Sequence, residues 1–130
     1  PMADSKPYEE IVSEMNSNAI IMKGQLHELL QASSALVTHS STVGLEAMVL
    51  GKPVIVFDKK SDKQDMYGGT NAIFRVVNVE ELKGALQTVF SKKGGAGLQQ
   101  RIKKFVFEML FKQDGKATER VVAIVKEMVA

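Results

Sequence analysis

"VTHSSTVGLEAMVLGKPVIVFD", residues 37–58, is the stretch whose reading decides the fold. The apolar run "ALVT" (35–38) stops at His39 and gives way to three hydroxyl residues, Ser40, Ser41 and Thr42. A mostly apolar segment follows, carrying a single acid, Glu46, and ending at Gly51 with Pro53 just beyond. Gly past the last turn and Pro after it are common helix stops. "VIVF" (54–57) is β-branched and apolar, the strongest strand signal in the chain. The stretch therefore predicts a strand at 35–38, a tight turn, a helix from Thr42 to Leu50 and a second strand at 54–57.

The same alternation extends outward. Pro7, after Asp4 and Ser5 as caps, predicts a helix over Tyr8–Asn16. "AIIM" (19–22), ended by Lys23-Gly24, has strand character, and "QLHELLQA" (25–32) puts Leu26, Leu29 and Leu30 on one helical face. Downstream of a polar loop over 58–71, "IFRVV" (73–77) reads as a strand. Asn78 then caps a helix whose stripe is Val79, Leu82, Leu86 and Val89. "SKKGGAG" (91–97) reads as a flexible break, with "GGAG" as its hinge, and two helices close the chain at about Leu98–Lys112 and Ala117–Val129. Strands alternating with helices at this spacing make βαβ units. The expected fold is α/β: one Rossmann-like, doubly wound, mostly parallel sheet of about four strands over residues 1–130, helices on both faces, with 98–130 a C-terminal helical pair.

Composition removes several functions. Seventeen basic against fifteen acidic side chains leave a net charge of +2, too small to argue for nucleic acid. Cysteine is missing, so disulfides and thiolate metal sites are excluded. No apolar run approaches the ~20 residues that span a bilayer, and "PMADSKPYEE" has no signal-peptide core, so the expected location is the cytoplasm. Pro before the first Met suggests a tag remnant or a cut from something longer.

In open α/β sheets ligands bind beyond the carboxyl ends of the strands. There the turn after Thr38 leads into a helix from Thr42 whose first amides lack intrahelical acceptors and carry the positive end of the dipole. Ser40, Ser41 and Thr42 add hydroxyl donors, and Gly44 permits close approach to the backbone. Together they predict a phosphate or diphosphate cradle; the bland alternative is that Ser41 or Thr42 only caps the helix. Glu46 has Thr42, Val43, Val49 and Leu50 as helical neighbours, and Val43 cannot complete a capping box with it. A sugar diol would satisfy such a carboxylate, and so would an ion pair with Lys52 or Arg75. His39, at the cradle, either donates to phosphate and assists leaving-group departure or only shapes the turn, while His27 sits on a polar helix face. "GKP" (51–53) is not a phosphate-binding P-loop, because Pro follows the Lys, and "GGAG" (94–97) follows no strand.

"THSSTVGLEAMVLGKPVIVF" resembles the signature of the C-terminal, nucleotide-sugar-binding domain of GT-B glycosyltransferases of the surface-polysaccharide type. It is also similar to non-hydrolysing nucleotide-sugar 2-epimerases. "DMYGGTNAIFRVVNVEELKGAL" and "DGKATERVVAIV" continue the likeness in order, over roughly residues 25–130. The resemblance implies that Ser40, Ser41, Thr42, Val43 and Gly44 hold the diphosphate of a nucleotide-diphosphate sugar. Glu46 would take ribose or sugar hydroxyls, His39 would be catalytic, and Tyr67, Gly68 and Gly69 would belong to a loop over the donor. It implies no metal and no cofactor.

The resemblance also implies an absent half. GT-B enzymes carry acceptor and base on an N-terminal domain, so this chain would be the donor part of a transferase and inactive by itself. Its partners would be the missing N-terminal acceptor domain or a partner chain. A non-catalytic donor-binding subunit or a 2-epimerase fragment are the competing readings, and a homo-oligomer is a further one. Phe107 and Phe111 lie off the stripe of Leu98, Ile102, Phe105, Val106 and Met109, among Arg101, Lys103, Lys104 and Lys112. That surface suggests a domain interface, peripheral contact with the inner face of a membrane, or a helix covered by the domain's own loops.

Overall fold

The computed structural model describes residues 4–58, 66–91 and 95–129. In chain order the elements are α1 (Lys6–Glu14), α2 (Leu26–Ala32), β1 (Leu36–Thr38), α3 (Val43–Val49) and β2 (Val54–Phe57). They continue with β3 (Phe74–Val76), α4 (Val79–Phe90), α5 (Gly95–Leu110) and α6 (Ala117–Val129). The three strands form one parallel sheet in the order β1-β2-β3, with Val37 beside Ile55 and Ile55 beside Phe74.

The sheet is built around β2, because only a strand apolar on both faces can serve two layers of helix. Val54, Ile55 and Val56 are all essentially buried. Successive side chains point to opposite faces. Val54 and Val56 therefore join Leu30 of α2, Ala47 and Met48 of α3, and Leu98, Ile102, Phe105 and Val106 of α5. Ile55 meets Val76 and the α4 residues Leu82, Ala85 and Leu86 on the other side. Helices thus cover both faces, and the fold is a Rossmann-like α/β arrangement.

α4 shows how directly sequence sets a boundary. Asn78 Oδ1 accepts from the Glu81 amide at 2.9 Å, while the Glu81 carboxylate accepts from the Val77 amide and from Asn78 Nδ2, each at 3.0 Å. The reciprocal pair satisfies donors that a helix start leaves open. Asn78→Ala is expected to lower stability by about 1 kcal/mol, with Asn78→Asp close to the parent, as read from urea midpoints. At the other end of the chain, Arg120 hydrogen-bonds to Asp114 and, with the Lys116 amide, holds that exposed carboxyl below its usual range.

Two expectations need correction. The "AIIM" segment is not a strand: 19–22 pairs with nothing among the described residues, and Ile20 is 82% exposed. Strand propensity stands for little without a neighbour to take the backbone N–H and C=O groups. The sheet accordingly has three strands among the described residues rather than about four. Second, Gly95 and Gly97 open α5 instead of forming a hinge; residues 92–94 lie outside the described residues. α1 and α6 bury no residue, although both are amphipathic. Among the described residues β1 is an edge paired with β2 alone, and Val37 on the α4 side of the sheet is 45% exposed.

Candidate functional site

β1 delivers the chain to the carboxyl end of the sheet at Thr38, and β2 ends beside it at Phe57. The next residues, His39 and Asp58, therefore meet: His39 Nε2 lies 3.5 Å from Asp58 Oδ1. The histidine side chain is 75% exposed and the aspartate only 15%. The Asp58 amide donates to the Val76 carbonyl at 2.9 Å, which holds that carboxylate at the sheet end. Asp58 was not among the residues singled out above. The signal for it was its place directly after the strand neighbouring β1, at the edge of the same crevice.

The turn 39–42 and the start of α3 differ from the simple cradle. Ser41 Oγ accepts from the Val43 amide at 3.2 Å, and the Ser41 carbonyl accepts from the Gly44 amide at 3.1 Å. The Thr42 carbonyl accepts from Leu45 at 2.9 Å and from Glu46 at 3.4 Å. So the first α3 amides, expected to face a ligand, are already satisfied inside the turn. Ser41 is the capping hydroxyl, whereas Thr42 occupies the N-cap position and makes no capping bond. Among the described residues the amides of Ser40, Ser41 and Thr42 donate to no protein atom, and the side chains of Ser40 and Thr42 are exposed. The unused donors are thus the amides of the turn itself rather than those of α3.

Gly44 is buried for a reason found in the protein itself. A Cβ there would lie 2.8 Å from Tyr67 Cζ and 3.3 Å from Val54 Cγ1. Tyr67 is 1% exposed, packs near Phe105 with ring centroids 6.4 Å apart, and donates its hydroxyl to the Ser41 carbonyl. The expected loop over a donor is thus divided. Tyr67 is a core residue lying under the turn. Gly68 stands half-buried at φ +50, its carbonyl accepting from Arg75 Nη2 at 2.8 Å, and Gly69 is exposed. Residues 59–65 of that loop lie outside the described residues.

Glu46 is exposed, against the expectation of a poorly solvated face. Among the described residues its carboxylate makes no hydrogen bond or ion pair. The candidate partners point elsewhere: Lys52 Nζ donates to the Gln31 and Ser33 carbonyls at 2.8 Å each, and Arg75 to Gly68. His27 is exposed and pairs with Gln31 at 2.9 Å. The structure therefore brings His39, Ser40, Ser41, Thr42 and Asp58 to one end of the sheet. It sets Glu46 one turn along α3, with half-buried Val43 and buried Gly44 between.

A short strand, a hydroxyl-rich turn and a helix on a parallel sheet make a Rossmann-like α/β domain with an open turn at the carboxyl end of its edge strand. A family model described as "Putative glycosyltransferase (DUF6716)" matches residues 2–66, half of the chain, and the chain belongs to that family. The match takes in α1 through β2 and the whole 39–46 region. No curated protein and no solved structure matches the chain. Among the described residues no helix is long and apolar enough to cross a membrane.

Proposed function

We propose that this domain holds the nucleotide-diphosphate sugar of a GT-B-type glycosyltransferase, which passes the sugar to a polysaccharide or lipid-linked acceptor. The observation that carries the reading is the Ser40–Thr42 turn. Among the described residues it offers three amides without a protein acceptor and two exposed hydroxyls at the carboxyl end of β1. Amides and hydroxyls fixed around a diphosphate would stabilise the charge that builds on it as the glycosidic bond breaks.

His39 stands where an imidazole N–H would donate to the departing phosphate, and Asp58 at 3.5 Å would orient the ring. Glu46 would accept hydrogen bonds from vicinal hydroxyls of the ribose or the sugar. Val43 and Gly44, whose amides bond to Ser41, would hold the turn in shape, and Gly68 and Gly69 would border the donor. Tyr67 would act from below, by fixing the Ser41 carbonyl and with it the shape of the turn.

A second reading, a donor-binding subunit completed by a partner chain, draws on the unpaired edge of β1 and on exposed Val37. A 2-epimerase fragment would use the same phosphate contacts, and product analysis, epimer against glycoside, separates it from transfer.

Titration of the labelled chain with uridine or cytidine diphosphate is expected to shift the amides of Ser40 to Glu46, with Ser40, Ser41 and Thr42 moving most. Saturating nucleotide that leaves those amides in place while moving others would sink the site.

A further inference from the structure

At the opposite end of α3 from the turn, the end of α5 carries an exposed aromatic surface. Its core stripe of Leu98, Ile102, Phe105 and Val106 is buried, but Phe107 and Phe111 lie off that stripe, 52% and 49% exposed. Their ring centroids are 5.3 Å apart. Phe111 closes the helix at φ +57, a conformation unfavourable for a bulky side chain, with its amide donating to the Phe107 carbonyl at 2.8 Å. Its ring lies 5.5 Å from Lys112 Nζ and 5.4 Å from the Arg120 guanidinium carbon. Beside the two rings runs a groove of about 450 Å³ whose apolar wall includes Met48, Val49, Ile102 and Val106.

Charge distinguishes this corner from the rest of the protein. Residues 98–130 hold seven basic side chains against four acidic, whereas residues 1–97 hold ten against eleven. Arg120 is neutralised by Asp114, but among the described residues Lys103, Lys112 and Lys116 pair with no carboxylate. The adjoining α6 leaves Val121, Val125 and Met128 exposed.

We propose that the corner joining α5 to α6 docks on an anionic membrane surface, with Phe107 and Phe111 entering the headgroup–acyl boundary and Lys103, Lys112 and Lys116 meeting lipid phosphates. Charge complementarity selects this occupant. An apolar pair flanked by the ammonium groups of Lys103 and Lys112, which line the same groove, matches a surface that offers hydrocarbon and phosphate at adjacent depths. Long Lys side chains can lay their stems along the rings while their charges reach outward. The inference stands independently of the proposed function, since it uses no residue of the turn.

The test is sedimentation of the chain with vesicles of phosphatidylcholine alone or mixed with phosphatidylglycerol. Binding is expected only to the mixed vesicles and should weaken as salt screens the ammonium groups. Lys103→Glu and Lys112→Glu should each weaken it at least about fivefold. Phe107→Ser combined with Phe111→Asn should abolish it, while Asn accepts the left-handed backbone. Circular dichroism reports whether that pair still folds; if it does not, the lysine variants carry the test alone. The proposal is overturned by equal binding to neutral vesicles, by no binding to either, or by binding indifferent to all these changes. A chain that instead self-associates through the two phenylalanines, seen by sedimentation velocity, overturns it as well.

Discussion

Tyr67→Ala is expected to destabilise the domain by about 3–5 kcal/mol, read as a shift of the urea or thermal unfolding transition. Total stabilities of small domains are about 5–15 kcal/mol, so this change removes a large share. The reason is position more than area. The ring fills the space between α3 and α5, and its hydroxyl ties the crossover between β2 and β3 to the Ser41 carbonyl. Tyr67→Phe keeps the ring and loses the hydrogen bond, so about 0.5–1.5 kcal/mol is expected. Gly44→Ala tests the same contact from the other side, since its Cβ would press on the phenol and on Val54. Because the two sites touch, their effects should not add. Gly44→Ala should be tolerated better in the Tyr67→Phe background, where the oxygen nearest the new Cβ is gone. A Tyr67→Ala variant melting within about 1 kcal/mol of the parent would show that the ring fills no essential space.

Much of the fold was legible because the decisive signals are local. β-branched runs marked β1, β2 and β3, Asn78 marked the start of α4, and the Leu98–Val106 stripe marked the buried face of α5. Where the reading failed, the missing information was not local. "AIIM" has the residues of a strand, yet a strand exists only through a partner, and no window of sequence shows whether one is in reach. The glycines at 95–97 have the lowest helix propensity after proline, but Leu98 and Ile102 are buried, and that packing outweighs the local cost.

The candidate site divides along the same line. That the turn lies at the carboxyl end of β1 followed from strand and helix order alone. Which donors are spent did not: Ser41 turns back on Val43, and the α3 amides bond to Ser41 and Thr42, through a turn geometry that spacing does not encode. The role of Gly44 depends on Tyr67, twenty-three residues later, and could only be guessed as ligand approach. Asp58 was overlooked because it ends an apolar run and belongs to no motif. Only the parallel pairing of β1 with β2 puts it beside His39.

Glu46→Gln is expected to weaken binding of a nucleotide-diphosphate sugar about 10- to 100-fold, the loss of hydrogen bonds to a charged acceptor. The unfolding transition should stay within about 0.5 kcal/mol of the parent, as for an exposed residue without partners. Glutamine keeps the shape of the side chain and one acceptor oxygen, but its amide nitrogen cannot accept from a second hydroxyl. A carboxylate gripping a vicinal diol therefore loses both its charge and half its contacts. Isothermal titration with two ligands locates the diol. Equal losses for the nucleoside diphosphate and the nucleotide sugar place Glu46 on the ribose, whereas a loss confined to the nucleotide sugar places it on the transferred sugar. Unchanged affinity for both, in a variant that folds normally, would leave Glu46 a solvated side chain and remove the sugar-binding half of the proposal. A variant that fails to fold would mean that the exposed carboxylate has a structural partner. The expected result is the most direct link between the geometry of α3 and transfer chemistry, because an exposed acid that has no partner among the described residues, one turn from amides equally unused there, gains nothing for stability by its position.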